Sequence, residues 1–403
     1  MRRLRVLHVT PYSADAWAYG GIARLAGTLI RGLAARGHDV TVCTTDVCTE
    51  TTRLGGAVSP TFRRPWPVVE PSPGVTVRIF PNLSNRLAYQ QLFIPLGLGG
   101  FLRRSASSFD VAHLHACRNL PGAVAAHYLA RAGVPYVIAP NGTAPRIERR
   151  RFVKGMFDAV IGRRVLRGAA RVIAVSNAER RQLNAMGIDD RAIRVVPNPI
   201  DLDEFTPPLS RGRFRGRLLD RQRPVVMFLG RMSPRKRLDV LVRSFSRLRR
   251  RDAWLVIAGN DAGAAAPAAR LAAELGVIDR TVFTGLLSGR DRLEALADAD
   301  VVVYPSEHEI FGLVPLEALL AGTPVIVADD SGCGEVVRST GGGQVVPLGD
   351  ADRLAQAIDQ VLESPSAWRA LAREASARVR LTYAAKPVCA QLDDLYCEVA
   401  AGV

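Results

Sequence analysis

Residues 301–335, VVVYPSEHEIFGLVPLEALLAGTPVIVADDSGCGE, constrain the fold of this chain more than any other stretch. Val301 to Tyr304 form an apolar, β-branched run of the kind buried in a parallel sheet. Pro305 to Gly312 form a turn that carries two glutamates and a histidine. Pro315 suits a first helical turn, where its missing N–H costs nothing. Leu316, Leu319 and Leu320 supply a buried stripe, Gly322 stops the helix, and Pro324 to Val327 open the next strand. The pattern predicts Glu309 in the loop and Glu317 in the first turn of the helix, with free backbone N–H groups between them.

A helix N-terminus at the carboxyl end of a strand is an anion site, and open α/β sheets bind ligands there. Free N–H groups suit phosphate and two carboxylates suit hydroxyls, a combination that describes a nucleotide sugar. A plain βαβ unit with acids near a helix start reads equally well from the pattern alone. Glu309 and Glu317, with seven residues between them and FGLVPLEAL around them, resemble the E-x7-E signature of glycosyltransferase family 4. That family comprises retaining enzymes of the GT-B fold. The resemblance implies an α/β chain of two Rossmann-like domains facing a cleft, with the C-terminal helix returning to the N-terminal domain. The expected boundaries are 1–205 for an acceptor-binding domain, 206–385 for a nucleotide-sugar domain and 386–403 for the returning helix.

The length of 403 residues independently favours two domains. A net charge of +16 implies an anionic partner or surface. Lysine occurs only at Lys154, Lys236 and Lys386, so arginine supplies the rest of the 54 basic residues and Lys236 stands out as a compact ammonium. The six cysteines show no C-x2-C pair and no zinc-like spacing, which fits a reducing compartment. The N-terminal apolar run is too short for a signal peptide, and no stretch approaches the ~18 apolar residues of a membrane span. A cytoplasmic protein, peripheral at the inner face of the membrane, is the expectation.

Along the chain, Arg5–Thr10, a loop ending in Gly20-Gly21, a helix over 22–36 and a strand over 38–43 make a Rossmann-like opening without G-x-G-x-x-G. Residues 47–108 show little periodicity. Asp110 to His115 and Tyr136 to Ala139 read as strands, the first ending in His115 and the second leading to Asn141. Residues 145–171 read as a basic amphipathic helix or helix pair, suited either to acidic lipid or to the solvated outside of an α/β domain. Ser176-Asn177-Ala178-Glu179 is a capping-box pattern, and the arginine-rich stretch 206–223 reads as an interdomain linker. Val225 to Leu229 is a buried strand that delivers Arg231 to its end, with Lys236 following after four intervening residues.

By resemblance, Gly20 and Gly21 would approach the donor, and Glu317 would bind ribose hydroxyls. Glu309 with the amides of Ile310, Phe311 and Gly312, next to Leu313, would hold the sugar. Arg231 and Lys236 would stabilise the departing diphosphate, and His115 and Asn141 would line the acceptor cleft. Asn141 stands where many members carry histidine, and an amide does not titrate near neutrality. Ser331-Gly332-Cys333-Gly334-Glu335 resembles the family's GG-x-x-E, with Ser331 replacing the first glycine. The implied donor is a UDP- or GDP-sugar, and the implied acceptor a glycan or polyprenyl-linked molecule. No cofactor is expected. Two D-x-D strings, Asp201-Leu202-Asp203 and Asp298-Ala299-Asp300, lack further metal ligands, so no essential metal is expected either. The competing reading is a basic membrane-surface or nucleic-acid binder without transferase activity. No RNP-type or helix-turn-helix pattern supports nucleic acid.

Overall fold

The computed structural model describes residues 2–13, 16, 21–49, 52–54, 68–145, 157, 161–218, 222–330 and 332–402. The chain divides into two compact units, residues 1–199 with 385–403, and residues 200–384. Ile200 belongs to the second because its N–H donates to the Tyr383 carbonyl. The helix Ala385–Ala400 belongs to the first unit, the return expected of the C-terminal segment.

The first unit is built on an eight-stranded sheet. Its strands are β1 (Arg5–Val9), β2 (Asp39–Thr45), β3 (Val68–Ser72), β4 (Val75–Phe80), β5 (Val111–His115), β6 (Tyr136–Ala139), β7 (Arg171–Ala174) and β8 (Ile193–Val195). The order is β3-β4-β2-β1-β5-β6-β7-β8, parallel throughout except that β3 runs antiparallel to β4. β3 and β4 arise from the region of weak periodicity. β4 is buried only at Val75 and Phe80, so its pattern reads as neither an alternating nor a fully apolar strand. One face of this sheet carries Val6, Val40, Val111 and Val137 against Leu25, Leu29 and Leu33 of the Gly21–Ala35 helix and Leu392, Tyr396 and Val399 of the C-terminal helix.

The second unit holds β9 (Val225–Leu229), β10 (Trp254–Ala258), β11 (Thr281–Gly285), β12 (Val301–Tyr304), β13 (Val325–Asp329) and β14 (Gly343–Pro347). These pair in the order β11-β10-β9-β12-β13-β14, all parallel. This is the doubly wound Rossmann order, whose topological switch point lies between β9 and β12. β9 and β12 are fully buried, as their continuous apolar runs require. Gly259 and Gly230 meet where β10 and β9 end: a Cβ on Gly259 would lie 1.9 Å from the Gly230 carbonyl oxygen. That turn therefore admits only glycine.

The predicted linker is not a free connection. Among 206–223, Gly212, Phe214 and Arg215 donate backbone N–H groups to the Asp298 carboxylate, and Arg215 also pairs with Asp300. The segment is thereby fastened to the second unit. Of the predicted basic helix pair over 145–171, residues 146–156 and 158–160 lie outside the described residues. Arg163–Arg167 is helical. No helix among the described residues is long and apolar enough to cross a membrane.

Candidate functional site

The loop after β12 and the loop after β9 come together at the switch point of the second sheet. Lys236 ends a short 3₁₀ turn, Pro234–Lys236. Its Nζ lies 2.5 Å from Glu309 Oε2 and 2.5 Å from the Tyr304 hydroxyl, and 4.5 Å from the centre of the Tyr304 ring. The Tyr304 hydroxyl in turn lies 3.2 Å from the same Glu309 oxygen. The two loops are also joined by backbone, since Glu307 N–H donates to the Arg235 carbonyl at 2.8 Å. Burial alone opposes charge on all three groups. The ion pair nevertheless raises the Lys236 pKa above its usual value and holds the Glu309 carboxyl below its own. Burial, together with Glu309, pushes the Tyr304 phenol up. The site thus keeps a fixed ammonium and a fixed carboxylate at neutral pH.

Behind this pair, Gly312 is the N-cap of the helix Leu313–Leu320, at φ +81 and with no side-chain cap. The first amides of a helix have no intrahelical partner, so this uncapped end presents donors to an anion. A Cβ at Gly312 would sit 2.5 Å from Cys333 Sγ. The Cys333 N–H donates to the Glu309 carbonyl at 2.9 Å, which ties the loop to the next helix, Gly332–Thr340. Burial pushes the Cys333 thiol up, so it packs rather than reacts. Ile310 and Phe311 are buried, Leu313 is half-buried, and Arg231 is exposed at the carboxyl end of β9.

Glu317 differs from its expected setting. It is the fifth residue of its helix rather than a first-turn residue. It is 2% exposed and ion-paired with Arg292 of the helix Gly289–Asp298. Sequence reading missed Arg292. An arginine amid Leu293, Leu296 and alanines in a helix otherwise looks solvated. Tyr304 was also missed, and its signal was a polar-tipped aromatic closing an apolar strand.

In the first unit, His115 ends β5 beside Ala139, with Asn141 just beyond, so strand pairing brings these two together. Gly21 begins the Gly21–Ala35 helix. Gly20 and Ser331 lie outside the described residues. His115 is buried, with Nε2 2.9 Å from His8 Nδ1 and its ring stacked on His113 at 4.2 Å and 10°. Burial lowers its pKa to about 4, so it is neutral at pH 7. Nitrogens of His8, His113 and His115 lie within 4.8 Å of one another. The parallel planes of the two stacked rings do not aim their lone pairs at one point, which does not suit a metal.

Asn141 sits at φ +51 with its buried Oδ1 lacking a hydrogen-bond partner. Its loop is held from below by Glu179, whose carboxylate accepts from Gly142 N–H at 2.6 Å and Val175 N–H at 2.8 Å. This corrects the expected capping box. Ser176 does accept from Glu179 N–H, but Glu179 reaches the Asn141 loop instead of its own cap. The carboxylates of the second D-x-D string are likewise engaged. Asp201 accepts from Asp203 N–H, and Asp298 and Asp300 fasten the arginine-rich segment.

Comparison with known proteins gives the family and the fold. Residues 213–380 match the family described as glycosyl transferases group 1, and residues 19–204 the one described as Glycosyltransferase Family 4. A D-inositol 3-phosphate glycosyltransferase of Salinispora tropica is 33% identical over 344 residues, covering 78% of this chain and 70% of the relative. The Frankia alni protein of that name is 32% identical and covers 89% of each chain. The chain belongs to glycosyltransferase family 4. Its fold is GT-B. Sucrose-phosphate synthase from Thermosynechococcus elongatus superposes with a TM-score of 0.76 over all of both chains at 22% identity. Anabaena HepE, solved with UDP-glucose, gives 0.73 over 98% of this chain and all of the other at 20% identity. As a family 4 member, the protein is a glycosyltransferase.

Proposed function

We propose that this glycosyltransferase retains configuration and moves a hexose-type sugar from a nucleoside diphosphate sugar to an acceptor hydroxyl. The observation that carries the reading is the Lys236–Glu309–Tyr304 cluster in front of an uncapped helix end at the switch point of the second sheet. The diphosphate lies against the amides of Ile310 to Leu313 and the cations Arg231 and Lys236. Charge grows on the leaving diphosphate as the glycosidic bond breaks, and preorganised cations lower that barrier most. Glu309 orients the sugar hydroxyls, and Glu317 accepts from the ribose. Transfer proceeds on the front face of the sugar with the diphosphate taking the acceptor proton, so no protein nucleophile is required.

Engagement of Asp298 and Asp300 with protein groups supports a reaction that needs no metal at that D-x-D string. The names of the relatives add a phosphorylated cyclitol to the acceptors implied by resemblance, a glycan or a polyprenyl-linked molecule. Asn141, half-buried, stands on the acceptor side, and His115, 1% exposed, lies behind its loop instead of lining the cleft as expected. The net charge of +16 suits an anionic acceptor or the surface of an acidic membrane.

The test is donor hydrolysis and transfer with UDP-, GDP- and ADP-sugars in the presence of chelator, with the anomeric configuration of the product read by NMR. A single donor turned over with retention supports the proposal. Inversion, or turnover abolished by chelator, refutes the mechanism.

A further inference from the structure

We propose that Arg292 is the positioning residue of the Glu317 carboxylate, itself held in place by Glu204. The inference rests on the reading of Glu317 as the ribose-binding acid. Arg292 is 4% exposed on the Gly289–Asp298 helix. One guanidinium nitrogen, Nη1, contacts Glu317 Oε2, and the other, Nη2, lies 2.5 Å from Glu204 Oε2. Glu204 stands in the 3₁₀ turn Asp203–Phe205, and its side chain is 29% exposed. The result is a chain of three charges running inward: a partly solvated acid, a buried arginine and a buried acid.

Stability does not account for this arrangement. A buried ion pair is generally no better for the fold than apolar residues of the same volume, and this helix interface is otherwise lined by Leu293, Leu296, Leu316 and Leu320. What the arginine does supply is a planar bridge, one guanidinium nitrogen against each acid, which a single compact ammonium does not span in the same way. An ionised carboxylate accepts at about four lone-pair positions, more than the single Arg292 contact uses. Glu317 lies one helical turn behind the uncapped Gly312 end that faces the diphosphate. Arg292 thereby sets the orientation of an acceptor group at the nucleoside end of the same ligand. It touches neither phosphate nor sugar. The second acid has its own role: Glu204 engages the outer nitrogen and holds the guanidinium against Glu317.

Positioning predicts a loss confined to the ribose. The experiment measures, by calorimetry on the full chain, the dissociation constants of UDP, GDP and ADP and of the 2′,3′-dideoxy form of each, using the pair whose parent binds tightest. In wild type the dideoxy form binds about 10- to 100-fold more weakly, the range for hydrogen bonds to a charged group. In Arg292→Met that ratio falls below about threefold, while the ratio between nucleoside diphosphate and monophosphate keeps its wild-type value. Arg292→Lys, which preserves charge without the fork, and Glu204→Gln, at the solvated end, each reduce the dideoxy ratio at least about threefold. These two milder variants carry the test if Arg292→Met does not fold.

A wild-type dideoxy ratio in the folded variants overturns the positioning role and leaves Glu317 as the ribose acid. A ratio near one in wild type, unchanged in Glu317→Ala, removes the ribose reading and this inference with it. A general weakening of mono- and diphosphate alike, with the dideoxy ratio intact, marks a purely structural arginine and also overturns the proposal.

Discussion

Lys236 carries the clearest residue-scale consequence of the geometry. It is the ammonium kept in a chain whose basic residues are almost all arginine, and it is shared between Glu309 and Tyr304. A guanidinium is too broad to sit between two oxygens each 2.5 Å away without displacing one of them. Lys236→Met is expected to lower kcat by about 10²- to 10³-fold, the cost of losing one preorganised charge, with Lys236→Arg rescuing it incompletely. Steady-state kinetics on the preferred donor checks both. Glu179 makes a different prediction. Burial raises its pKa to about 7 against an ordinary 4.5, so between those values the unfolded chain has released a proton that the folded chain retains. Stability therefore falls as pH rises from about 4.5 to about 7, by at most about 3 kcal/mol from this group. Urea unfolding of wild type and Glu179→Gln should show wild type losing stability relative to the variant as pH rises through that window. A constant gap contradicts the assignment.

At the scale of elements, the strand–loop–helix after Val301 depends on one glycine. Gly312 adopts φ +81 and leaves no room for a Cβ beside Cys333. Gly312→Ala is expected to cost about 2 kcal/mol or more from backbone strain and overlap, and to weaken diphosphate binding by tilting the helix end. Thermal melts with and without nucleotide measure both effects. This element was also the most legible in the sequence. Its apolar run, its proline at a helix start and its glycine stop are local signals, and local signals dictate β12, the Leu313–Leu320 helix and β13. β3 and β4 were not legible, because β4 is neither alternating nor continuous in burial and β3 is an exposed edge. The partners of the site's charges were hidden for another reason. That Arg292 meets Glu317 and Glu204, or that Glu179 rises to the Asn141 loop, follows from tertiary packing between elements distant in sequence, which no spacing encodes.

Over the whole molecule, the chain returns to its beginning. The Ala385–Ala400 helix completes the first unit. Its Asp393 pairs with Arg36 at 2.8 Å and His38 at 3.0 Å, and its Tyr396 hydroxyl meets His113 Nδ1 at 2.5 Å. Removing the carboxylate takes its acceptor from the buried His38 ring and its ion pair from the half-buried Arg36. Asp393→Ala is expected to destabilise the first unit by about 3 kcal/mol. Hydrogen exchange should show lost protection across 1–199 and 385–403, with residues 200–384 unchanged. The two-unit plan was readable from length and from the repeated strand–helix alternation. The point of division was less so, because the arginine-rich segment resembles a linker in composition and is fastened to Asp298 and Asp300 in fact.

On the proposed reading, the second unit holds a nucleoside diphosphate sugar by its phosphates and its ribose together. The most direct measurement is calorimetric binding of UDP-, GDP- and ADP-sugars, with chelator present, to wild type and Glu317→Ala. One preferred donor is expected, bound without metal by wild type and at least about tenfold more weakly by the variant. Equal binding by both proteins, or no binding of any donor to wild type, would contradict it.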